Sequence, residues 1–159
     1  MSRHDFKHHS LLVLVVDDFA DTVESEAELL CMLGHKVRVA LCGEEALRCV
    51  AMERPDVVLL DIRMPGLDGF VVAQSIRELC AGGGKQPLIV AVTGCGTEAD
   101  RLPSAESGFD LHLVKPVDPA MLTGLLERFR RLLAPPIPAA ELDAEEPPDC
   151  RQCVVSGWA

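Results

Sequence analysis

Five residues in this sequence have side chains suited to chemistry and share one setting: each lies where an apolar run stops. LLVLVV (11–16) is followed by Asp17 and Asp18, DVVLL (56–60) by Asp61, LIVAV (88–92) by Thr93 and LHLV (111–114) by Lys115. An aspartate after such a run often does no more than cap a helix or form a turn. Taken singly, Thr93 would bond to backbone and Lys115 would be a solvated lysine. Three carboxylates gathered at one place are different, because they repel one another and raise each other's proton affinity unless a cation lies among them. Mg²⁺ suits that position, being a hard ion that takes one or two carboxylates and keeps waters for substrate oxygens. With a lysine and a hydroxyl alongside, the set fits phosphoryl transfer onto a carboxylate. Asp61, single and followed by the open loop IRMPGLDG, is the candidate nucleophile. Asp17 and Asp18 are the candidate metal holders.

For these residues to meet, the runs that carry them must lie side by side with their ends level. The chain supplies such runs: strand and helix patterns alternate five times with short connections, which predicts a parallel sheet with helices on both faces. LLVLVV is apolar throughout, as a strand covered on both faces should be. KVRVA (36–40) alternates and predicts a half-exposed edge strand. Between them, Phe19, Val23, Ala27 and Leu30 make one helical stripe that Gly34 is placed to end in a left-handed conformation. Further helices are expected from Gly43 to Met52, from about Phe70 to Cys80, more weakly from Thr97, and after Asp118. Asp118 can cap that last helix, with Pro119 in its first turn and Leu122, Leu125, Leu126, Phe129, Leu132 and Leu133 on its apolar face. In such a sheet ligands bind beyond the carboxyl ends of the strands, where the five residues fall.

Composition narrows the class. A chain of 159 residues has room for one ordinary domain. With 48% hydrophobic and 25% charged residues it has the make-up of a globular protein. No apolar run is long enough to span a membrane, and the first ten residues lack a signal peptide's apolar stretch, so a cytoplasmic setting is expected. The net charge of -10 opposes binding to a phosphate backbone, and protein or cation partners are expected instead. Cys31, Cys42, Cys49 and Cys80 fall in helical or apolar patterns, as reduced thiols would. Cys150 and Cys153 form a CxxC pair without the further ligands that a metal site needs. They belong to a segment, 134–159, with five of the eleven prolines, five acidic residues and one basic. It cannot bury a core of its own and is expected to be a flexible tail, with the terminal VVSGWA docking through Trp158. Residues 1–9 form a short extension and 10–133 the folded domain.

The sequence resembles the receiver domain of two-component response regulators. The resemblance rests on VVDD (15–18), LLDIRMPGLDG (59–69), VTG (92–94) and LVKPVD (113–118), in order and with family spacing, and it covers residues 10–133. It implies a doubly wound α/β fold with a five-stranded parallel sheet in the flavodoxin-like order 2-1-3-4-5. It also implies phosphorylation of Asp61 by a sensor histidine kinase or histidine phosphotransfer protein. By the same carry-over Asp18 and Asp61 bind Mg²⁺ through carboxylates, Arg63 through its backbone carbonyl and Asp17 through water. Thr93 becomes the switch hydroxyl and Lys115 the phosphate-binding lysine, with a cis peptide before Pro116.

Two departures bear on signalling. His112 stands where the family has its switch aromatic, so its switch role competes with that of a plain, partly exposed strand histidine. Pro103 falls inside an expected helix, where an interior proline costs roughly 3 kcal/mol relative to alanine, so that helix should be short or kinked. GHKVRVALCGEEAL and GFDLHLVKPVD look most like receivers of hybrid sensor kinases. With no output domain in sight, a stand-alone receiver is expected, monomeric or weakly dimeric. It would act through a downstream protein or a phosphorelay and turn over no substrate of its own. Two alternatives stand beside it. A haloacid dehalogenase-type phosphohydrolase would want a second aspartate where Arg63 stands. A pseudo-receiver, binding partners without phosphorylation, would not need all five site residues.

Overall fold

The protein is described by a computed structural model, covering residues 10–94, 108–133 and 154–155. In chain order these form β1 (Leu12–Val16), α1 (Ala20–Met32), β2 (Lys36–Ala40), α2 (Gly43–Met52), β3 (Val57–Asp61), α3 (Gly69–Cys80), β4 (Leu88–Thr93), β5 (Leu111–Val114), α4 (Pro119–Leu133) and β6 (Val154–Val155). All ladders are parallel, and the first five strands lie in the order 2-1-3-4-5. The helix expected from Thr97, with Pro103, lies outside the described residues.

The continuous apolar runs have the expected cause. β1 and β3 are buried along their whole length because both faces are covered. Since side chains alternate along a strand, Leu14, Val16, Val58, Leu60, Ile89 and Ala91 pack beneath α2 and α3. Val13, Val15, Val57, Leu59, Val90 and Val92 pack on the other face with α1 and α4. Val23, Ala27 and Leu30 carry the buried stripe of α1, but Phe19 does not belong to it. It precedes the first turn and is exposed. At the other end of α1, Gly34 takes φ 89° and donates to the Cys31 carbonyl, as the left-handed terminator should. In α4, Leu122 and Leu126 are buried and Leu125 and Phe129 partly so, whereas Leu132 and Leu133 are exposed, because the helix has run past the sheet. Asp118 caps it, its Oδ1 accepting from the Ala120 amide at 2.9 Å.

β2 is not the last strand of the sheet. The two residues of β6, from the proline-rich and acidic tail, pair with its outer edge, Val37 with Val154 and Arg38 with Val155. The expected docking of VVSGWA did not specify this ladder, which is made by Val154 and Val155. The rest of the tail, Cys150, Cys153 and Trp158 included, lies outside the described residues.

Candidate functional site

The strand order reverses at β1, which has β2 on one side and β3 on the other, so a crevice opens beyond their carboxyl ends. Val16 pairs with Leu60, so the next residues, Asp17 and Asp61, sit side by side at that crevice. Asp61 is itself the last residue of β3, held in register with Val92 of β4. Thr93 ends β4 opposite Val114 of β5, and Lys115 follows. Backbone register alone therefore brings four of the five expected positions to one rim. Thr93 is located by its backbone; its side chain is outside what is described.

Asp17 and Asp61 are only 3% and 5% exposed, while Asp18 faces solvent. One carboxylate oxygen from each of the three lies within 4.8 Å of the others. That spacing fits a shared small cation, whose oxygen ligands stand at about 2.1 Å from the metal, after small side-chain adjustments. The Lys115 ammonium donates to Asp17 Oδ2 at 2.9 Å and lies 3.5 Å from Asp61 Oδ2. Backbone amides serve the remaining oxygens: Phe19 N–H donates to Asp17 Oδ1 at 3.0 Å and Arg63 N–H to Asp61 Oδ1 at 3.2 Å. The peptide bond between Lys115 and Pro116 is cis, as expected.

Electrostatics set Asp61 apart. Burial pushes its carboxyl above the ordinary range, and the charges of Asp17 and Asp18 push the same way, against Lys115 and the Arg63 amide. Burial would lower the Lys115 ammonium, but the hydrogen bond to Asp17 and the two nearby carboxylates outweigh it and raise it. The site thus carries more negative charge than one lysine balances.

Two residues that the sequence does not make conspicuous also belong to this arrangement. Glu26, half-buried on α1, is raised to about 7 by burial and then by Asp17, with Lys115 opposing and Asp61 adding to the rise. The signal was available, because Glu26 lies three residues after Val23 on the inward side of the helix. Gly69 opens α3 where a Cβ would stand 2.7 Å from Ile62 Cα and 2.8 Å from the Asp61 carbonyl oxygen. Only glycine lets the helix start this close to the backbone of the nucleophile candidate. His112 stands exposed on β5, opposite Ala91. Arg63 is exposed, in the loop after β3.

The family model of the response regulator receiver domain matches residues 13–127. The chain belongs to the response regulator receiver family. A probable transcriptional regulator, ycf27, of Guillardia theta is 43% identical to this receiver over 119 residues, which are 75% of this chain and 45% of that protein. The response regulator PleD of Caulobacter vibrioides is 33% identical over 150 residues, 94% of this chain and 32% of its own length. Among solved structures, a CheY-like receiver domain from Methylobacillus flagellatus is 30% identical with a TM-score of 0.64, covering 76% of this chain and 99% of that one. The receiver spans about half the length of the first curated relatives it matches. Receivers are phosphoaccepting signalling domains of two-component systems, not turnover enzymes, so the phosphohydrolase alternative falls away. Among the described residues no helix is long and apolar enough to cross a membrane.

Proposed function

We propose that Asp61 is the phosphoacceptor, that Asp17, Asp18 and Asp61 with the Arg63 carbonyl hold Mg²⁺, and that Lys115 and Thr93 bind the phosphoryl oxygens. The observation that carries this reading is the Lys115 ammonium lying between two buried carboxylates of a three-aspartate cluster. Bound Mg²⁺ supplies positive charge to the carboxylates and to the transferring group. An Asp61 oxygen forms the new O–P bond in line with the breaking P–N bond of a donor phosphohistidine, whose imidazole keeps the electron pair. Lys115 neutralises one equatorial oxygen, and the Thr93 hydroxyl donates to another. Because the raised carboxyl of Asp61 must be ionised to attack, Lys115 serves twice: it favours the charged carboxylate, then takes up part of the charge that develops on the phosphoryl group.

The donor in this reading is a sensor histidine kinase or a histidine phosphotransfer protein, and the reader is a second protein or the next member of a phosphorelay. A net charge of -10 supports protein partners over nucleic acid for this chain. A cytoplasmic setting agrees with Cys42, Cys49 and Cys80, all free thiols. Residues 10–133 are the receiver unit, and 134–159 are a tail attached to it. The test is incubation with acetyl phosphate and Mg²⁺ followed by intact mass. One phosphoryl group is expected on the native chain, with none on Asp61→Asn and none after chelation. Undiminished labelling of Asp61→Asn would overturn the assignment.

A further inference from the structure

The tail strand raises a question of its own. β2 pairs with β1 through five residues on its inner side, which is sufficient to hold it in the sheet. Its outer side presents the amides and carbonyls of an edge, a ready template for another strand. The sequence places a β-branched pair, Val154 and Val155, on that template in parallel register. The segment that carries the pair is acidic, with Glu141, Asp143, Glu145, Glu146 and Asp149 before it, and the edge it meets carries Lys36 and Arg38. A second copy of β2 suits the edge less well, since antiparallel pairing of KVRVA with itself would bring these cations together.

The 20 residues between α4 and β6 also matter. A backbone extends by about 3.3 Å per residue, so a connection of that length has ample reach from α4 to the opposite edge of the sheet. Covalent attachment makes the pairing of β6 intramolecular, which favours it over a free segment of equal length. A two-residue ladder makes few hydrogen bonds, so a longer strand would compete with it.

We propose that the outer edge of β2 is a strand-addition site for an extended, acidic, β-branched segment of a partner protein, and that Val154–Val155 holds this edge in cis until such a segment displaces it. Recognition would rest on main-chain hydrogen bonds, with the exposed Lys36 favouring an acidic approach, since Arg38 is already paired with Glu53 at 2.6 Å.

Amide hydrogen exchange on the full chain tests this, using the β2 amides that point away from β1. The double variant Val154→Pro, Val155→Pro removes the tail N–H groups that donate to β2 carbonyls, so the two-residue ladder should detach; the outward β2 amides then lose the tail carbonyls they donate to and should exchange about three- to tenfold faster, the factor one net backbone hydrogen bond supplies. Amides facing β1 should not change, which separates loss of the cap from loss of the fold. Equal exchange in the two proteins overturns the cap. A synthetic peptide of residues 141–159, added to the variant at millimolar concentration under reducing conditions, should restore slow exchange. The same peptide with both valines replaced by serine should not. Failure of the native peptide overturns the docking site. Light scattering should give a monomer for the full chain, and a dimer that the double variant abolishes would assign the tail strand to a neighbouring copy and overturn the cis arrangement.

Discussion

β3 has a buried aspartate at each end, and the two do different work. Asp56 precedes the strand and Asp61 closes it; they are 3% and 5% exposed, and each has a lysine within ion-pair distance. At the entry, Asp56 Oδ2 accepts from the Leu12 amide at 2.8 Å and Oδ1 lies 2.8 Å from Lys85 Nζ, an ion pair without a well-directed hydrogen bond. That carboxylate joins β1 to β3, and its charge has a cation of its own. At the exit, Asp61 has longer contacts, shares its lysine with Asp17 and is crowded by a third carboxylate. Burial and a lysine partner therefore do not mark a site. What sets Asp61 apart is negative charge in excess of what the fold neutralises, the condition under which the proposed cation and phosphoryl group would be bound.

Neutralising each aspartate should separate the two roles. Asp61→Asn should lose all phosphoryl uptake with its melting temperature unchanged or raised, because a buried charge has been removed. Asp56→Ala should keep the uptake and lose about 1–3 kcal/mol in urea unfolding, the cost of stranding the buried Leu12 amide. Retained uptake in the first or lost uptake in the second would collapse the distinction. Next in size, Lys115→Met should slow labelling by acetyl phosphate about 10²-fold, whereas Lys85→Met should leave the rate alone.

Burial of Glu26, together with the excess negative charge beside it, also predicts a pH dependence. Glu26 is held at about 7 against an ordinary 4.5, so the folded protein keeps a proton that the unfolded chain releases. The stability linked to that proton is complete below pH 4.5 and lost as pH rises to about 7. A carboxyl that keeps its proton across that span contributes roughly 3 kcal/mol. Urea unfolding at about pH 5 and about pH 8, on either side of most of this loss, should show the decline in the native chain, and Glu26→Gln should remove most of it. Mg²⁺ should shrink it by balancing the same carboxylates. Comparable to Asp56→Ala in its cost to stability, Gly69→Ala should lose about 1–3 kcal/mol by overpacking against Ile62 and Asp61 backbone, and should slow labelling as well. An alanine variant with native stability would mean that α3 can back away from the site.

The exit end of the sheet was legible in the sequence because Asp17, Asp18, Asp61 and Lys115 interrupt apolar runs, and a polar residue there is conspicuous. Gly34 and Asp118 were legible for a similar reason, since each performs a local task next to a periodic segment. Asp56 was not, because an aspartate opening a strand looks like any boundary residue until its partner, 44 positions away, is known. Glu26 was hidden by a helix that is otherwise normally patterned. The reach of β3 to include Asp61 and the attachment of β6 depend on pairing between distant segments, which no local pattern encodes.

The contact between Lys115 and Asp17 closes a loop of 98 positions. Asp61 is synthesised midway, but the ammonium that balances it arrives only when the fifth strand has been made and docked. At roughly 5–20 residues per second, translation from one aspartate of the cluster to that lysine takes about 5–20 seconds. A chain truncated before β5 lacks Lys115, so with Asp61 as the proposed acceptor it should take up less phosphoryl group from acetyl phosphate than the full chain.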